Sequence, residues 1–121
     1  MSYWYLATPY SKYSLGTEEA FKEAARVAGK LIQAGVKLFC PITHSHPIAT
    51  YSGLKLDDYD IWLPADRPFM DLAQGILVVK MPGWDQSYGV GHEIEVFRAA
   101  GKPVRYLEWP VKEVPHDIKT G

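Results

Sequence analysis

The chain has 121 residues, 47% of them hydrophobic, and a formal net charge of −1. That length suits one domain with a single core, and the scattered Lys and Arg form no basic face, so neither long nucleic acid nor a membrane surface is expected as a partner. The one cysteine, Cys40, cannot close an internal disulfide, and with no leader-like or membrane-spanning apolar run the expectation is a cytoplasmic protein.

The opening segment SYWYLAT is dense in aromatic and β-favouring residues and stops before Pro9, which predicts a buried strand over residues 2–8. Thr17 reads as an N-cap with Glu18 and Glu19 in the first turn. Apolar residues at Phe21, Ala24, Ala25, Ala28, Leu31 and Ile32 then mark one helical face, closed by Gly35. VKLFC gives a short second strand. PITHSHPIATYSGLKLDDYD, residues 41–60, reads as a long loop of the kind compact domains keep for a lid or pocket wall.

Residues 62–74 have a helical pattern interrupted near its start by Pro64 and Pro68. GILVVKM is a continuous apolar run, as expected of a central strand covered on both faces. After the loop PGWDQSYG come a helix over residues 90–100, Gly101, and a last strand, PVRYLEW. This alternation predicts an α/β fold: a single-domain, open parallel sheet of four to five strands flanked by helices, Rossmann-like. It covers residues 1–111, with residues 112–121 as a loosely ordered tail. Ligands bind such sheets at the carboxyl ends of the strands.

One residue is out of keeping with its helical face. At about 100° per residue, Glu93 projects with Val90, Val96, Phe97 and Ala100, while Glu95 and Arg98 point to the opposite side. An inward carboxylate loses hydration, which raises its pKa, whereas a place in the first turn of a helix favours the anion. A carboxylate nucleophile must be ionised yet poorly solvated, and this position suits one. The competing reading, equally weighted on position alone, is that Glu93 caps its own helix and the neighbouring glycines shape a tight turn. Gly89 and Gly91 admit close approach of a ligand to the backbone, the helix N-terminus suits an anion such as phosphate, and the Ser87 hydroxyl adds a donor. A dinucleotide fingerprint is not expected: Ile94 stands where the third glycine belongs, and this is not the first strand-to-helix turn.

SYGVGHE followed by AAGKPV, with the opening strand YLATPYS, resembles the nucleoside 2-deoxyribosyltransferase superfamily, including its deoxynucleoside-monophosphate N-glycosidase members. YLATPYS, HSHPI and the PGW…S.GV..E pattern resemble more closely a branch grouped with it, domain of unknown function 1937. The resemblance spans roughly residues 3–107. It implies that Glu93 is a nucleophile forming a covalent glycosyl-enzyme, that Tyr5 contacts its carboxylate, and that Asp66, or Asp71 about a turn later, serves the departing base. It implies a homodimer or larger homo-oligomer that completes the site across an interface. Ser87 stands where the transferases carry a sugar-binding aspartate and the monophosphate hydrolases a serine, which points to a 5′-phosphorylated substrate. Against this, ATPYSKYS lacks the glycine-rich phosphate cradle of those hydrolases.

Retaining cleavage of an N-glycosidic bond needs a carboxylate beneath the anomeric carbon and an acid near the leaving base. Thr8, at the end of the first strand, and Pro9 and Tyr10 just after it join the substrate-binding candidates, and Tyr10, Trp62 and Trp84 are rings that can flank a base. His44 and His46 follow Cys40 and precede Asp57 and Asp58, but their spacing matches no established zinc site, so no metal is expected. One of the two is expected to reach the pocket and the other to bond within its own loop. The expected partner is a nucleoside or nucleotide, with no cofactor. The expected activity is an N-glycosidase or 2-deoxyribosyltransferase; the alternative is a non-catalytic nucleotide sensor of the same fold.

Overall fold

Strands covered on both faces show no polar alternation, and the two such runs of this chain lie side by side. In the computed structural model, which describes residues 2–119, β1 (Trp4–Ala7) and β3 (Gly75–Val79) are buried at every position. They are flanked by β2 (Leu38–Phe39) and β4 (Val104–Leu107) in a four-stranded, all-parallel sheet of order β2-β1-β3-β4. Tyr5 is level with Phe39 on one side and Ile76 on the other. The pleat sends Trp4, Leu6, Leu77 and Val79 into one core layer and Tyr5, Ala7, Ile76 and Val78 into the other. Connections leave β1 and β3 in opposite directions, so the topological switch lies between these two strands.

The first layer is closed by α1 (Thr17–Gln33). Its N-cap is Gly16, not Thr17, and its buried face is Ala20, Ala24, Val27, Ala28 and Leu31. The expected face is therefore corrected: Ala25 is exposed and Ile32 is 57% exposed. The face that is buried instead joins Trp4, Leu6 and Leu77 in the first layer. The helix ends with Gly35 at φ 96, its N–H bonded to Ile32 O while Val36 N–H bonds Leu31 O. This paired closure needs a left-handed residue, which explains the glycine.

The expected loop over residues 41–60 is mostly a helix, α2 (Pro41–Ser52). Pro41 starts it where a missing N–H is harmless, and Gly53 at φ 80 ends it. Pro47 and mixed polarity hid it from a periodicity reading. The next helix, α3 (Tyr59–Leu72), begins before residue 62 and runs through both prolines. Pro64 and Pro68 leave the carbonyls of Asp60 and Pro64 without their helical donors, but both residues are exposed, so water can serve them.

The second layer is closed by α3 and α4 (Tyr88–Ala99), through Met70, Val90, Ile94 and Phe97. Gly75, level with Trp4, faces the first layer, where a Cβ would stand 2.6 Å from the Trp4 ring and 2.8 Å from Pro103 O. The chain beyond residue 111 is not the loose tail expected of it. Ile118 is fully buried in the first layer, within a short turn over His116–Ile118, and Asp117 pairs with Arg105 at 2.6 Å. Residues 120 and 121 of that tail lie outside the described residues. Among the described residues no helix is long and apolar enough to cross a membrane.

Candidate active site

Ser87 caps α4, its Oγ accepting from Val90 N–H at 3.2 Å. The helix thus starts two residues earlier than expected. Glu93 consequently falls in its second turn, where direct help from the N-terminal amides has faded. What holds the carboxylate is Tyr5, which donates its hydroxyl to Glu93 Oε2 at 2.5 Å. Tyr5 is wholly buried in mid-β1, its ring packed against Phe39 and Phe97 with centroids 6.0 and 5.6 Å away. A short bond between two buried groups with restrained side chains is a fixed one.

Burial pushes the Glu93 carboxyl up to about 8; the bond from Tyr5 acts the other way, and the charge of Asp66 adds to the rise. The balance sketched from sequence is therefore settled in favour of desolvation. Burial, then the neighbouring charge of Glu93, lifts the Tyr5 phenol far above its ordinary range, so Tyr5 stays a donor. Asp66, on α3, is raised to about 6 by burial, opposed by His44. The charge of Asp66 thus acts on Glu93, so the protonation of the first bears on that of the second.

Above Glu93 lies a cavity of about 500 Å³, within the range of small-molecule sites. It opens at the carboxyl end of β1, beside the switch point, between α2, α3 and the start of α4. Its wall includes Thr8, Asp66, Ser87, Gly89 and Glu93, with Tyr10 and Trp62 among its rings. Trp62 is fixed by its indole N–H, which donates to Lys55 O at 2.8 Å. Thr8 Oγ1 is buried and has no hydrogen-bond partner among the described residues, an unmet group that a polar ligand can satisfy.

Other expected residues stand elsewhere. Asp71 is exposed and pairs with Arg67 at 2.9 Å; five residues along a helix turn it about 140° from Asp66. Gly91 is exposed and outside the wall, and a Cβ there would meet nothing. Gly89 is in the wall, where a side chain would take up ligand space. Trp84 packs edge-on to Tyr106 at 5.6 Å, away from the cavity. Pro9 is buried but does not line the cavity. His44 packs on Phe39 and Phe69, and His46 lies behind Tyr10, so neither histidine is in the wall. Among the described residues no group of three or more His, Cys, Asp or Glu is arranged to hold a metal.

Sequence reasoning missed Ser11, Thr17, Ser45, Lys55 and Tyr59, which also line the cavity. Tyr59 lay within the segment over residues 41–60 read as a loop, and Thr17 was hidden by its reading as a cap. Ser45 belongs to the helix that was read as a loop.

These features define a small parallel α/β domain with a buried carboxylate–tyrosine pair at the base of a ligand-sized cavity. The chain belongs to the family described as Domain of unknown function (DUF1937), whose model matches residues 2–109. No curated protein gives a significant match.

Proposed function

We propose that this protein cleaves the N-glycosidic bond of a nucleoside or nucleoside 5′-monophosphate through a covalent glycosyl-Glu93 intermediate, the chemistry of the nucleoside 2-deoxyribosyltransferase superfamily that its sequence resembles. One observation carries the reading: a buried carboxylate, bonded to a buried tyrosine at 2.5 Å, faces a cavity of about 500 Å³ whose wall holds a second carboxyl group, Asp66. A Glu93 oxygen attacks C1′ and the C1′–N bond breaks. Its electron pair goes to the base nitrogen, which takes the Asp66 proton. Water or a second base then displaces Glu93. By the same resemblance the working form is a homodimer or larger homo-oligomer.

The reactive form carries the charge on Glu93 and the proton on Asp66. With Glu93 at about 8 and Asp66 at about 6, this is the minor of the two singly protonated arrangements. Positive charge developing at C1′ favours it by stabilising the Glu93 anion beside it. Among the donors of the cavity wall, the Ser87 hydroxyl and the Lys55 ammonium suit a 5′-hydroxyl or 5′-phosphate.

The test is incubation with a panel of nucleosides and 5′-monophosphates, assayed for free base, with a 2-fluoro-2-deoxy analogue to trap the adduct for peptide mass spectrometry. Base release by the wild type, its loss in Glu93→Ala, and a trapped sugar on Glu93 are expected. Full turnover by Glu93→Ala refutes the assignment. Thermal stabilisation by a ligand without product points instead to a nucleotide sensor.

A further inference from the structure

Tyr10, in the cavity wall, shares a hydrogen bond of 2.6 Å between its hydroxyl and His46 Nδ1. His46 is 7% exposed, and its Nε2 lies 2.9 Å from Glu18 Oε2. Glu18 reaches the surface, its side chain 64% exposed. Phe21 stacks on the imidazole at 4.3 Å and 14°, which fixes the ring plane. Three side chains from separate elements thus form a line from solvent to cavity, and His46 belongs to the HSHPI segment that the glycosidase reading leaves without a role.

The polarity of the line follows from its outer end. A carboxylate only accepts, so Nε2 carries the proton toward Glu18 and a neutral His46 presents Nδ1 as an acceptor. Tyr10 therefore donates to His46, and its oxygen, which the Thr17 side chain of the same wall also hydrogen-bonds, keeps acceptor capacity for a further partner. A hydroxyl backed by imidazole, itself oriented by a carboxylate, is the arrangement that lets a hydroxyl take up a proton while passing its own on.

We infer that Tyr10, positioned by His46 and Glu18, is the base that serves water, so that this line decides whether the glycosyl group is hydrolysed or transferred. The inference rests on the glycosidase reading. Asp66 exchanges its proton with the departing or incoming nucleobase. When water is the acceptor, its oxygen attacks C1′, the C1′–O bond to Glu93 breaks, and that electron pair returns to the Glu93 carboxylate. The water proton moves to Tyr10, the Tyr10 hydroxyl proton moves to His46 Nδ1, and the imidazolium is held by the Glu18 carboxylate. After the sugar leaves, the proton returns by the same two bonds to the cavity and replaces the one Asp66 gave up.

The discriminating measurement is the ratio of hydrolysis to transfer, with a substrate the wild type cleaves and a second free nucleobase added as acceptor. Tyr10→Phe keeps the ring and should lower the ratio of hydrolysis to transfer about 100-fold. Glu18→Gln, on the surface, should lower the same ratio about tenfold without unfolding the protein. An unchanged ratio in both variants, with a trapped sugar still on Glu93, overturns the relay and leaves the glycosidase reading intact. No base release and no trapped sugar in the wild type overturns both. Nitrogen-15 signals of His46 in the free protein are expected to show the Nε2-protonated tautomer, and the opposite tautomer overturns the relay whatever the activity.

Discussion

Glu93→Gln should make the protein more stable at alkaline pH while abolishing the proposed chemistry. Glu93 has its carboxyl raised from 4.5 to about 8, chiefly by burial. The folded state therefore holds a proton that the unfolded chain releases, and the stability linked to this group is complete below about 4.5 and lost as pH rises through about 8. Between pH 5 and pH 9 the loss is about 4 kcal/mol. Glutamine keeps an oxygen that accepts the Tyr5 hydroxyl at the same place and does not titrate. Urea unfolding of both proteins at several pH values reads the difference directly. The advantage of the glutamine variant should grow by about 4 kcal/mol across that range. Stability curves that stay parallel to within about 1 kcal/mol would refute the claim that Glu93 is ionised against a desolvation cost, and with it the reason for regarding the residue as reactive.

Tyr5→Phe removes the one hydrogen bond that opposes the rise at Glu93. A bond to a charged group is worth about 1.5–3 kcal/mol, so the alkaline limb of the activity profile should move up by about 1–2 pH units, measured by initial rates across pH. In the wild type that profile should be bell-shaped, with limbs set by the pair at about 6 and about 8; a flat profile over this range contradicts the carboxyl pair. Ser87→Ala deletes the cap of α4 and should cost about 1 kcal/mol in chemical denaturation, with a further loss of affinity for 5′-monophosphates over nucleosides read by calorimetry. Gly75→Ala forces a Cβ within 2.8 Å of the Pro103 carbonyl oxygen and should destabilise the fold by about 2–3 kcal/mol; an unchanged midpoint would mean that β4 shifts freely.

Read from its residues alone, the chain settled those features that depend on local periodicity. GILVVKM is central because a run without polar alternation has no face to offer water. Glu93 points inward because helical phase ties it to Val90 and Phe97, and it is 9% exposed as that phase requires. Tertiary contact decided the rest. The polar, proline-bearing segment of α2 is helical and half-buried because α1 and β1 pack beside it, a stabilisation no local pattern records. α1 buries Ala20, Ala24, Val27, Ala28 and Leu31 while Ala25 and Ile32 face out, a rotation settled by what packs in the first layer and not by local periodicity. Glu93 and Tyr5 lie 88 positions apart in sequence, and the cavity wall draws on residues from Thr8 to Glu93. A desolvated carboxylate, its partner and its cavity exist only once distant segments exclude water together, so the candidate residue was legible in the sequence, while its protonation and its neighbours are properties of the fold.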